Sequence, residues 1–193
     1  MIVLVRHGAT AWSTARRHTG RTDVPLTDEG RAQASALAPV LAGLRPDRVL
    51  TSPLSRATET CALAGFGDQA EADDRLLEWD YGDAEGRTTA EIREDLDPLW
   101  SVWTHPIAGA EPLASVAARV DGVIADLRAG DGDPVVLVFA HAHLLRILGA
   151  RWCGLDAVAG QSLVLDPASV SVLGNERETP VIERWNVVAD PFA

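Results

Sequence analysis

Lysine is missing from this 193-residue chain, and all seventeen basic residues are arginine. Set against twenty-eight acids, they leave a formal net charge of -11 and a pI near 4.8. That balance argues against a nucleic-acid or anionic-membrane partner, because either would call for a basic face. A small anion needs only a local group of arginines, whose planar forks suit phosphate. Cysteine is almost absent as well. Cys61 and Cys153 stand alone, with no short spacing to histidine, so they make neither a disulfide framework nor a zinc site. A reduced, cytoplasmic setting is the expectation. No apolar run is long enough to span a bilayer, and the one at residues 1–5 is too short for a secretory signal before Arg6 and His7 interrupt it.

What is present reads as one α/β unit covering residues 1–193, since 47% hydrophobic content can build a sizeable core. Residues 2–5 and 135–139 are short, wholly apolar runs, the second following the turn signal Gly130-Asp131-Gly132-Asp133-Pro134, and both read as central strands of a parallel sheet. Thr27 caps a helix with Asp28 and Glu29 in its first turn, and the pattern continues to Leu44, ahead of Pro46. Residues 48–51 form a strand candidate. Ser52-Pro53 reads as N-cap and first-turn proline of a helix over 54–63. Helices over 114–127 and from Leu144 to about Cys153 follow, then strands at 169–173 and 181–187. Such alternation predicts a three-layer α/β/α sandwich with a mostly parallel central sheet. Residues 73–112 break the rhythm, with Trp79, Trp100 and Trp103 among many acids, and read as a small insertion over the carboxyl edge.

Chemistry gathers at the ends of the two central strands. Arg6-His7-Gly8 directly follows the first, and His141 directly follows the second. In open α/β sheets ligands collect at the carboxyl ends of strands, so parallel neighbours would bring both imidazoles to one edge. The run Leu4-Val5-Arg6-His7-Gly8-Ala9-Thr10-Ala11-Trp12-Ser13 resembles the opening signature of the histidine phosphatase superfamily, whose members include phosphoglycerate mutase-like enzymes. Thr19-Gly20, Pro25-Leu26-Thr27, Ser52-Pro53-Leu54-Ser55-Arg56-Ala57, Glu78-Trp79-Asp80-Tyr81-Gly82 and His141-Ala142-His143 continue the resemblance in order. It implies His7 as nucleophile, Arg6, Arg56 and His141 as phosphate ligands, and Glu78 as general acid. Ser13, Thr19, Gly20 and Ala142 would line the phosphate pocket.

The sequence departs from the family's pattern where Ala142 replaces a common glycine, where Ser13 replaces a common asparagine, and at Ala110-Glu111-Pro112. The resemblance implies a metal-independent phosphatase without a cofactor, acting on small phosphomonoesters and closest to acid phosphatases and sugar-phosphate phosphatases. Mutase-type transfer is the alternative, and a non-catalytic binding module of the same fold ranks behind both. The insertion offers single Arg75, Arg87 and Arg93 rather than a paired clamp for a carboxylate, which favours hydrolysis. Taken alone, Arg56 and Glu78 would read as solvated surface charges. His18, His105 and His143 read as rim or surface residues, and Glu111 carries no assigned role. A monomer or a homodimer is expected.

Overall fold

Strand β1 (Ile2–Arg6) alternates its side chains between two cores, as the two-residue period of a strand requires. Ile2 and Leu4 join a cluster with Val116, Val120, Leu144 and Leu148, while Val3 and Val5 join one with Leu37, Leu41 and Cys61. The first cluster uses α5 (Leu113–Arg128) and α6 (Ala142–Trp152), and the second uses α2 (Asp28–Leu41) and α3 (Ser55–Leu63). Helices therefore cover both faces of the sheet, giving the expected three layers in a single-domain α/β fold. The computed structural model describes residues 1–129 and 132–188. Part of the expected turn, Gly130 and Asp131, lies outside the described residues.

The sheet has six strands in the order β3-β2-β4-β1-β5-β6, with β2 at Arg48–Thr51, β3 at Ala70–Ala72, β4 at Val136–Ala140, β5 at Val170–Glu176 and β6 at Thr179–Val187. Its first four strands run parallel, β5 pairs antiparallel with β1, and β6 pairs antiparallel with β5. Registers Arg6↔Ala140 and Thr51↔Phe139 bring the carboxyl ends of β1, β2 and β4 to one edge.

Three local expectations change. Helix α3 begins at Ser55 with Leu54 as its cap residue rather than Ser52. Asp23 takes the capping role by accepting both the Ser55 N–H and hydroxyl at 2.9 and 2.8 Å, and the Ser52 hydroxyl instead meets His141. Helix α2 stops at Leu41, where the Leu44 amide folds back onto the Leu41 carbonyl. It also runs through Pro39. Two short helices, α1 (Ala11–Thr14) and α4 (Thr89–Asp95), and the edge strand β3 have no counterpart in the sequence reading. Both helices are set by reciprocal capping boxes, Thr10 with Ser13 and Thr88 with Glu91.

Candidate active site

A cleft of about 300 Å³ opens over the carboxyl ends of β1 and β4. Its floor holds Arg6, His7, Glu78 and Ala142, and residues 100–103 with Thr89 and Arg93 form the outer wall. In a chain of net charge -11, the cleft is lined by Arg6, Arg16, Arg17 and Arg93 against Glu78 alone among the acids. The local sign is positive, as an anionic ligand requires.

His7 emerges where β1 ends and is held by a close backbone packing. A Cβ on Gly8 would lie 2.2 Å from the Gly30 carbonyl oxygen, so the turn passes the first turn of α2 with no room for a side chain. Nδ1 of His7 lies 2.7 Å from the Gly8 carbonyl oxygen, which can only accept, so Nδ1 carries the proton and Nε2 keeps its lone pair. Burial, then the charges of Arg6 and Arg56, hold the His7 pKa well below its ordinary value against the opposing Gly8 bond. The ring is neutral at pH 7.

Arg6 is pushed down to about 10 by burial, and its Nε has no protein partner among the described residues, while one terminal nitrogen donates to the Leu165 carbonyl. Arg56 is wholly buried and its donors are engaged. Nε donates to Nδ1 of His141 at 3.2 Å, and the terminal nitrogens donate to the carbonyls of Thr22, Gly20 and Thr19 at 2.9, 2.8 and 3.4 Å. Since guanidinium can only donate, Nδ1 of His141 is an acceptor, and Nε2–H donates to the Ser52 hydroxyl at 2.7 Å. The His7 and His141 rings stand edge to face with centroids 5.2 Å apart. Burial, followed by Arg56, His7 and Arg6, keeps His141 neutral too.

Glu78 reaches across the sheet edge to the start of α6. Its Oε1 accepts from the Leu144 and Trp79 amides at 2.9 and 3.0 Å, and its Oε2 from the His143 amide at 3.0 Å. His141, the cap residue, offers α6 no side-chain cap, so Glu78 supplies the anion that a helix N-terminus favours. Arg119 holds this segment from behind, donating to the Arg75, Leu77 and Glu78 carbonyls and pairing with Glu111 at 2.8 Å. Glu111 thus acquires a place, as partner to Arg119.

Of the residues singled out in the sequence, Arg6, His7, Ser13, Thr19, Glu78 and Ala142 line the cleft, whereas Arg56, Gly20 and His141 sit behind it. The Ser13 hydroxyl is used in the α1 capping box. Gly20 gives its N–H to Glu85 at 2.9 Å and its carbonyl to Arg56. Ala142 stands in the first turn of a right-handed helix, where no glycine is needed. His18 and His143 are not solvated rim groups, because they pack among Tyr81, Trp100 and Trp103. Ser52 is read in the sequence only as a helix cap, and Arg119 has no reading there at all. A lone hydroxyl and a helical arginine carry no local signal of whom they will meet.

A family model for the histidine phosphatase superfamily (branch 1) matches residues 2–188. The chain belongs to this superfamily. This histidine phosphatase is 41% identical over 177 residues to an acid phosphatase of Mycobacterium tuberculosis, spanning 91% of this chain and 86% of the relative. It is also 32% identical over 186 residues to a 2,3-bisphosphoglycerate-dependent phosphoglycerate mutase of Bifidobacterium longum, spanning 76% of this chain and 74% of the mutase. Among solved structures, that of an open reading frame product from Mycobacterium tuberculosis superposes with a TM-score of 0.91 at 38% identity, covering 97% of both chains. No helix among the described residues is long and apolar enough to cross a membrane.

Proposed function

We propose that this histidine phosphatase hydrolyses small phosphomonoesters without a metal, by way of a phosphohistidine on His7. The observation that carries the reading is the state of that ring: neutral, with Nδ1 tied to Gly8 and Nε2 left as a lone pair at the floor of an arginine-lined cleft. Nε2 attacks phosphorus as the ester P–O bond breaks, and the leaving oxygen takes a proton from Glu78, whose carboxylate has accepted it from the incoming phosphate monoanion. Water then attacks the phosphohistidine, Glu78 recovers the proton, and the P–N pair returns to Nε2. Oε2 is the oxygen suited to this exchange, because it has one N–H partner where Oε1 has two.

Phosphoryl transfer spreads charge over three equatorial oxygens, which favours fixed donors over covalent chemistry. Arg6 has an N–H without a partner among the described residues, and Ala142, in the first turn of α6, lines the same cleft. Arg56 keeps the surroundings of His7 positive, and the neutral His141 ring holds the Arg56 Nε in place. Their direct contact with phosphate requires Arg56 to leave the carbonyls of residues 19–22. Hydrolysis is favoured over mutase transfer because Arg75 and Arg87 are bound to Asp73, Asp126 and Asp95, leaving Arg93 of the insertion in the cleft.

The test is a rapid quench under alkaline conditions with a ³²P-labelled aryl phosphate. Label should appear on His7 and be absent from His7→Ala. Label on His141, or label that survives His7→Ala, would overturn the proposal.

A further inference from the structure

Beyond the phosphoryl end, the cleft continues along a wall of rings that the proposed chemistry does not use. His143 stands edge to face with Trp103 at 5.0 Å and with Tyr81 at 5.7 Å between centroids, and lies roughly parallel to His18 at 6.3 Å. His18 in turn meets the edge of Trp100 at 5.5 Å. From the far side, the Arg146 guanidinium lies 4.8 Å from the Trp103 ring centre and holds it in place.

The tautomer of His143 is decided by its neighbour. Tyr81 is buried, and burial with the charges of Glu78 and Glu85 drives its pKa far upward, so its phenol keeps its proton. The buried hydroxyl meets no other acceptor among the described residues, so it donates to Nδ1 of His143 and puts the imidazole proton on Nε2. Nε2 has no partner in the protein among the described residues, and His143 lines the cleft. Desolvation, then Arg146, His18 and Arg6, keeps the ring uncharged, and burial takes His18 down to about 4. A second donor waits nearby. Trp100, 2% exposed and part of the same wall, has an indole N–H without a hydrogen-bond partner among the described residues. A buried donor left unpaired is costly, so a ligand acceptor there is worth more than the same contact in water.

Resting on the phosphatase reading of this site, we propose that His143 is a specificity residue whose Nε2–H reads a hydroxyl on an uncharged, sugar-like leaving group lying along Trp100 and Trp103. The wall offers ring faces for C–H surfaces and neutral N–H groups for hydroxyls, with Thr89 and Ser101 adding hydroxyls of their own. Its backbone already holds Glu78 through the His143 amide, so the same residue sets both the carboxyl and the group beside it.

The test compares glucose 6-phosphate with cyclohexylmethyl phosphate, which has a ring of similar size and no hydroxyls, in wild type, His143→Phe and Tyr81→Phe. The readout is the ratio of kcat/KM for the two substrates, in which a general loss of structure cancels. Wild type should favour the sugar phosphate, and His143→Phe should lower that ratio about tenfold, the worth of one buried hydrogen bond. Tyr81→Phe frees Nδ1 and lets the proton leave Nε2, so it should lower the ratio by a smaller factor. This second variant decides the matter if His143→Phe does not fold. An unchanged ratio, or a wild type that prefers the cyclohexyl substrate, overturns the assignment of His143 alone. Failure of wild type to release phosphate from either substrate overturns the phosphatase reading, and the assignment with it.

Discussion

Replacing Glu78 with glutamine removes a charge and a proton carrier while keeping the shape, and the structure supplies a magnitude for each loss. The amide oxygen can keep the Leu144 and Trp79 bonds, but its NH₂ group then faces the His143 N–H, donor against donor. Losing one charge-assisted bond and the anion at the start of α6 costs about 2–4 kcal/mol in sum. For a domain of this size that lowers Tm by roughly 5–15 °C, which calorimetry would register. Catalysis should separate by leaving group. An alkyl phosphate needs the proton and should lose about 10²–10⁴ in kcat/KM, whereas an aryl phosphate with an acidic phenol should still phosphorylate His7. Because the amide cannot accept a proton from water, the phosphoenzyme should accumulate, and stopped-flow should show a burst of phenol ahead of slow turnover. Equal losses for alkyl and aryl phosphates would mean that Glu78 only caps α6. Wild-type rates with both would remove it from the chemistry altogether.

Stability should depend on acid through the buried imidazoles. His7, His18, His141 and His143 all have folded pKa values held below the ordinary 6.5, so the unfolded chain binds protons first as pH falls. The folded state keeps its full stability above 6.5 and loses it below, down to about 4 for His18, at up to about 5 kcal/mol per pH unit for four groups. Thermal melts from pH 7 to pH 5 should therefore show a falling Tm, and a flat or rising Tm would refute the neutral-histidine reading. Substituting Arg119 by methionine leaves the Arg75, Leu77 and Glu78 carbonyls unpaired and the Glu111 carboxylate with Arg21 alone at 3.6 Å, and should cost about 2–4 kcal/mol while lowering kcat. Adding Glu111→Leu should recover stability but not kcat, because the segment carrying Glu78 stays loose; recovery of both would make the pair purely structural. Phosphatase activity should persist in excess chelator, and a loss reversed by one divalent ion would oppose the metal-free proposal.

The sequence by itself determined the central strands β1 and β4 and the residues at their carboxyl ends, though not the edge strand β3. The apolar run into Arg6-His7 and the one before His141 made β1 and β4 legible, because a strand buried on both faces leaves little choice of residue. Their parallel pairing then follows from the alternation of strands and helices, and with it the meeting of His7 and His141. Ordered motifs carried Glu78 as well. What they could not carry is who bonds whom. Ser52 looked like a helix cap, since a Ser-Pro pair favours that role locally, but the buried Nε2–H of His141 needed its oxygen more, and Asp23 was close enough to cap α3 instead. Glu111 had no assigned role until Arg119 was seen to pair with it across the turn of α5. His143 read as a rim group until packing placed Tyr81 at its Nδ1. In each case the deciding term is desolvation. A polar group that leaves water must find a partner from whatever the fold brings near, and the nearest partner is set by the chain's path rather than by its neighbours in sequence.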